Sequence, residues 1–192
     1  MGRRPLAFTI ELYVMIIQID KHISVKENQF TFTEIYNTDY AYFLTNNAAD
    51  VIYCRRTNAC YRLDESNLAW TKVDQSVELA QLKTIQEQIG NISIRKETHN
   101  NQHKFNLSGR GMTAALRGSL IVQEVKGLEH TCYIDYYRLS KLLSFASPEL
   151  ANNEIIVDSD MKVNIQGTKI ESKIKVASIN TSAAFPNIST FA

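Results

Sequence analysis

The sequence predicts an α+β fold built on one large, curved antiparallel sheet, a barrel or half-barrel meander, and three observations lead there. Short runs of alternating apolar and polar residues are separated by turns rich in Asn and Asp, the period-two signature of half-buried strands. Only 7 Gly and 3 Pro punctuate the chain, and Ile, Val, Thr, Tyr and Phe, which favour strands, are plentiful. One stretch alone, ending at Gly90, carries a strong helical stripe. About a dozen short strands in one sheet should curl, because open twisted sheets beyond roughly ten strands curl, split or flatten.

The amino terminus reads as an apolar segment over 1–19, which fits a strand, a helix or a degenerate export signal. Arg3 and Arg4 precede a mostly apolar run that Glu11 interrupts. The run ends well short of the roughly 20 residues a spanning helix needs, so no transmembrane helix is expected. The string AFTIEL resembles the start of a type IV pilin, with Leu6 and Ala7 where that family has its glycine.

Hairpins follow. Folding about Glu27-Asn28 sets Val25 opposite Phe30, Ile23 opposite Phe32 and Lys21 opposite Glu34, so apolar meets apolar and opposite charges meet. YAYFLT and DVIYCRR flank Asn46 to Ala49, and CYRL and LAWTKV flank Asp64 to Asn67. A helix over about 77–89 comes next: Ser76 can cap it, Leu79, Leu82, Ile85 and Ile89 recur at three- and four-residue spacing, and Gly90 can end it.

Strands resume with ISIRKETH and QHKFNL, folded about Asn100-Asn101, which places Ile94 opposite Leu107 and Glu97 opposite Lys104. Gly109 to Gly118 reads as a loop. SLIVQEV and LEHTCYID flank Lys126-Gly127, and Tyr136, Leu139 and Leu143 suggest a second, shorter helix over about 136–145. EIIVDS, MKVNIQ and KIESKIKVASI close the meander, Gly167-Thr168 folding Ile165 onto Ile170 and Met161 onto Ile174. Residues 181–192 read as a loose tail around Pro186, and 1–192 as a single domain. In element order the chain is similar to the curved half-barrels that carry lipids or lipoproteins in bacterial envelopes, with no motif behind the likeness.

The chemistry that the sequence offers is sparse. Lys and Arg total 21 against 20 Asp and Glu, a net charge of +1, so no overall field steers the chain toward nucleic acid. His99 and His103 have HxxxH spacing, but a hairpin turned at Asn100-Asn101 points them to opposite faces. Asp158-Ser159-Asp160 resembles the DxD of metal-dependent transferases, yet it reads as a solvated turn between antiparallel strands. Ser159 to Lys162 matches SxxK without its helix or partner motifs. Gly109-Arg110-Gly111 and Arg117-Gly118 fit a flexible loop better than an anion site. No phosphate-binding glycine loop, HExxH or GxSxG occurs, and neither metal nor cofactor is expected.

Two features remain. A three-residue loop at Arg56-Thr57-Asn58 would set Cys54 directly across from Cys60, within reach of a disulfide in an oxidising compartment; one residue of slip would put them on opposite faces. Aromatic residues at alternating positions, Phe30 with Phe32 and Tyr40 with Tyr42, could line an apolar site together with Leu82 and Ile85 of the helix. Their ordinary reading is core. The functional expectation is a non-enzymatic module that holds an apolar small molecule, a lipid or a partner segment on a curved sheet. The alternative is an assembly subunit, self-associating or docking on a protein partner through strand edges or its apolar amino terminus. A cytoplasmic or bacterial envelope location fits either.

Overall fold

A computed structural model describes residues 15–45, 50–64, 66, 69–99, 102–141, 147–186 and 188. Most of the apolar 1–19 segment, the Asn46 to Ala49 turn, the Asn100-Asn101 turn residues and Leu143 lie outside them. The elements run β1 (Ile17–Val25), β2 (Asn28–Tyr36), β3 (Tyr40–Thr45), β4 (Val51–Cys54), β5 (Ala59–Asp64), β6 (Ala69–Lys72) and α1 (Ser76–Ile89). They continue with β7 (Ile92–His99), β8 (Gln102–Arg110), β9 (Ala114–Glu124), α2 (Tyr133–Lys141), β10 (Glu154–Ile165) and β11 (Thr168–Asn180), a short 3-10 turn at Leu128–His130 preceding α2.

All eleven strands form one antiparallel sheet in the order β6-β5-β4-β3-β2-β1-β11-β10-β9-β8-β7. The sheet is two meanders joined where the first strand pairs with the last, Ile19 opposite Ile179 and Ile23 opposite Ile174. The sheet does not close, so β6 and β7 are its edges. α1 connects one edge to the other. Its 14 residues span about 21 Å at 1.5 Å each. Ten strand gaps of about 4.8 Å would hold the edges of a flat sheet some 48 Å apart, so the sheet has to curl for that crossing.

The curl gives a concave face with the main core. Ile17, Ile19, Tyr36, Phe43, Tyr53, Leu116 and Val122 pack there with Ile89 of α1 and Tyr133, Ile134 and Tyr137 of α2. A smaller cluster on the convex face joins Ile35, Tyr42 and Ile52 to Tyr40, Trp70 and, from the carboxy-terminal segment, Phe185 and Ile188. Phe185 meets the Tyr42 ring edge-on at 6.5 Å.

Several local expectations need correction. The first hairpin turns at Lys26-Glu27, with Lys26 at φ 55°, so Ile23 faces Phe30 and Lys21 faces Phe32. The last turns at Gln166-Gly167, both at positive φ as a type I′ turn requires, and Ile165 faces Thr168. Each slip is two residues, so no side chain changes face. Gly109 to Gly118 is no loop: β8 and β9 run through it and turn at Gly111–Thr113. The glycines serve α1, whose end sits on this hairpin. A Cβ on Gly111 would lie 1.8 Å from the Gln88 carbonyl oxygen, and one on Gly109 2.6 Å from the Ile89 side chain.

LEHTCYID is not a strand. Thr131 caps α2, its hydroxyl accepting from the Tyr133 N–H at 3.2 Å, and the helix starts three residues before Tyr136. Ser76 does not cap α1: Gln75 stands at its N-cap without a side-chain cap bond, and Asp74 just before it accepts from the Ser76 N–H at 3.0 Å. Asp158-Ser159-Asp160 is the middle of one long strand, bulged near Val157. There Lys175 and Lys173 stand opposite the two aspartates, the latter 3.4 Å from Asp160, and the cross-strand charge match keeps this polar stretch in the sheet.

Candidate functional site

Neither helix covers the whole concave face. α2 roofs the β2–β4 end: Tyr136 stacks at a tilt on Phe43 at 4.5 Å and on Tyr53 at 5.6 Å, and Tyr133 meets Tyr36 edge-on at 5.2 Å. Arg55 reaches across to Asp135 at 2.8 Å, and the Tyr137 hydroxyl donates to the Pro148 carbonyl at 2.7 Å. α1 docks mainly through Ile89, which is fully buried, whereas Val77 is 63% exposed. Between α2 and the centre of the sheet lies a cavity of about 480 Å³. Its wall combines Tyr36, Tyr133, Tyr136 and Tyr137 with Leu120, Ile156, Met161, Val163, Ile170 and Ile174. A second hollow of about 620 Å³, toward the β8–β9 turn, shares Val163 and Ile170 with it. These volumes fall in the range of about 300–1,000 Å³ usual for small-molecule sites.

One charged pair interrupts the apolar wall. Lys21 Nζ lies 2.6 Å from Glu34 Oε1, and the Tyr36 hydroxyl donates to Glu34 Oε2 at 2.8 Å. The Lys21 and Glu34 side chains are only 14% and 7% exposed. The pair exists because both residues fall on the concave side of adjacent strands, one step from direct opposition. Burial first, then the Glu34 carboxylate, push the Tyr36 and Tyr136 hydroxyls well above the ordinary tyrosine range. These tyrosines stay neutral donors at any physiological pH. The cavity is thus a largely apolar hollow with one internally neutralised ion pair and the hydroxyls of Ser140, Ser147, Ser159 and Ser172 in its wall.

The residues singled out in the sequence are split between the two faces. Phe30 and Phe32 share the concave side of β2, Phe30 being 43% exposed at the strand's far end and Phe32 resting on Phe43. Tyr40 and Tyr42 belong to the convex cluster. Leu82 and Ile85 are half-buried on α1. None of the six is among the described residues of the cavity wall. The wall was nonetheless partly readable: Lys21 and Glu34 stood out as a charge match, and Tyr133, Tyr136 and Tyr137 follow the i, i+3, i+4 spacing of one helix face.

The disulfide is overturned by one residue of register. The turn is Arg55–Asn58, with Asn58 at φ 47°, so Cys54 faces Ala59 and Cys60 faces Tyr53. The two sulfurs therefore leave opposite faces, and Cys54, Cys60 and Cys132 are free, buried thiols. Histidines 99 and 103 fall as expected, opposite Gln102 and Thr98. Among the described residues no cluster of three metal-ligating side chains occurs, and no helix is long and apolar enough to cross a membrane.

The site and fold together define an open antiparallel half-barrel with a helix-roofed cavity. No protein-family model matches the chain, and no curated protein matches it. Among solved structures it is similar to PNGF-II, at 10% identity and TM-score 0.45, over 92% of this chain and 29% of that one. It is similar also to a domain described as an outer membrane lipoprotein-sorting protein from Vibrio parahaemolyticus, at 6% identity and TM-score 0.40, over 92% of this chain and 89% of that one. A DUF1329 family protein from Desulfovibrio piger is similar at 7% identity and TM-score 0.42, over 93% and 90% of the two chains. The chain spans less than a third of the length of PNGF-II. Likeness at this level assigns neither family nor activity.

Proposed function

We propose that this protein is a binding module that holds an apolar chain in the chamber between α2 and the sheet. The observation that carries the reading is the cavity of about 480 Å³ with its tyrosine and aliphatic wall, left because two short helices face an eleven-stranded concave surface. Apolar walls of this kind are favourable to cover, at roughly 25 cal/mol for each Å² of apolar area removed from water. The test is titration with a neutral, environment-sensitive dye such as N-phenyl-1-naphthylamine, together with native mass spectrometry of the purified protein. Saturable dye binding that Ser172→Phe weakens supports the reading, since Ser172 lines the chamber and a ring there takes up part of it. A strictly monomeric mass with no co-purifying ligand and no dye binding overturns it.

A second reading, an assembly subunit, rests on an open edge: among the described residues β7 pairs with β8 alone, and exposed edges template further strands. A mass that rises with protein concentration supports that reading.

A further inference from the structure

The charged spot in the chamber says what kind of head group the apolar chain carries, an inference that rests on the binding reading above. Each Glu34 oxygen already accepts a hydrogen bond, one from Lys21 and the other from Tyr36. Lys21 is not: its ammonium has three N–H donors, and Glu34 is its one partner among the described residues. Lys21 lines the cavity, so the donors left over are available to whatever enters. The hydroxyls of Ser159 and Ser172 line the same chamber.

Charge decides the rest. Lys21 and Glu34 cancel, and no other Lys, Arg, His, Asp or Glu belongs to the described wall. A carboxylate or phosphate placed on Lys21 would sit beside the Glu34 carboxylate with no second cation in the described wall to neutralise it, at the reduced effective dielectric of a partly enclosed site. A cationic head would meet Lys21 in the same way. A neutral acceptor takes the spare N–H donors with no charge to desolvate. We propose that the ligand is a neutral amphiphile whose ester or amide carbonyl is bound by Lys21, with its aliphatic chain along Met161, Val163, Ile170 and Ile174.

The test is competition against bound N-phenyl-1-naphthylamine at pH 8 with three probes of one chain length: dodecane, methyl dodecanoate and dodecanoate. The ester should displace the dye at concentrations at least tenfold below either of the others. In Lys21→Met combined with Glu34→Gln, which removes both charges and keeps an amide oxygen to accept from the Tyr36 hydroxyl, the ester should fall to the level of the alkane when each is read against that variant's own dye affinity. Dodecanoate equal to or better than the ester in the wild-type protein overturns the head-group assignment, as does an ester advantage that survives in the variant. The wild-type ranking decides the matter even if the variant does not fold. Dye binding with no ranking refutes this inference and keeps the chamber; no dye binding by a strictly monomeric protein that carries no co-purifying ligand refutes both.

Discussion

Removing the Lys21 ammonium tests whether the chamber's polar spot is a buried ion pair in energetic terms. In Lys21→Met the Glu34 carboxylate, 7% exposed, keeps only the neutral Tyr36 hydroxyl as a donor. Breaking a buried pair from one side costs about 3 to 5 kcal/mol. The chamber admits some water near Lys21, which is 14% exposed, so the low end applies, about 3 kcal/mol. At an m-value of about 2 to 3 kcal/mol/M this lowers the urea midpoint by about 1 to 1.5 M, with m unchanged. Adding Glu34→Gln should recover most of the loss, because no buried charge remains and the amide oxygen still accepts from Tyr36. Equilibrium urea unfolding followed by tryptophan fluorescence and far-UV circular dichroism measures both variants. A double variant no more stable than the single one, or a single variant within about 0.5 kcal/mol of wild type, the range of surface substitutions, refutes the argument.

Ile89→Ala should cost about 2 to 5 kcal/mol as a fully buried site. Val77→Ala, on the exposed start of the same helix, should stay within about 0.5 kcal/mol, and equal losses in thermal unfolding would show that α1 docks along its whole length. Gly111→Ala drives a Cβ into the Gln88 carbonyl and should cost about 1 to 3 kcal/mol; hydrogen exchange should show the opening concentrated in α1 and the β8–β9 turn, and uniform loss of protection would argue against that contact. From neutral pH up to about 9 stability should be level, and it should fall above that. Burial raises Cys60 from 9.0 to about 11 and Cys132 to about 12, and raises Tyr53 and Tyr137 from 10.0 to about 12. These groups therefore bind protons in the folded chain that the unfolded chain has already lost. A midpoint that rises between pH 9 and 11 would contradict the sign, as would native-state labelling of the thiols at pH 8 as fast as in urea.

What the sequence by itself determined was the local pattern: most of the strand runs and the helix at Ser76. The β7–β8 register follows from Asn100-Asn101 because that turn and its alternating flanks leave one pairing that buries Phe105 and Leu107. Two other hairpins slipped by two residues, which the period of the pleat hides, since every side chain keeps its face. The cysteine turn differed by one, and the same pleat made that small difference decisive. Tertiary structure alone decided the rest. Nothing near Ile19 in the chain announces that it lies opposite Ile179, 160 residues away, and that pairing turns two meanders into one sheet. The chamber also comes from global shape. It depends on how far the sheet curls and on α2 docking over β2–β4 while α1 spans the gap between the edges, and neither distance is encoded in a window of neighbouring residues. The match of Lys21 with Glu34 could be read from the hairpin, but its burial under Tyr133 and Tyr136 could not, because the helix that covers it lies about a hundred residues further along the chain.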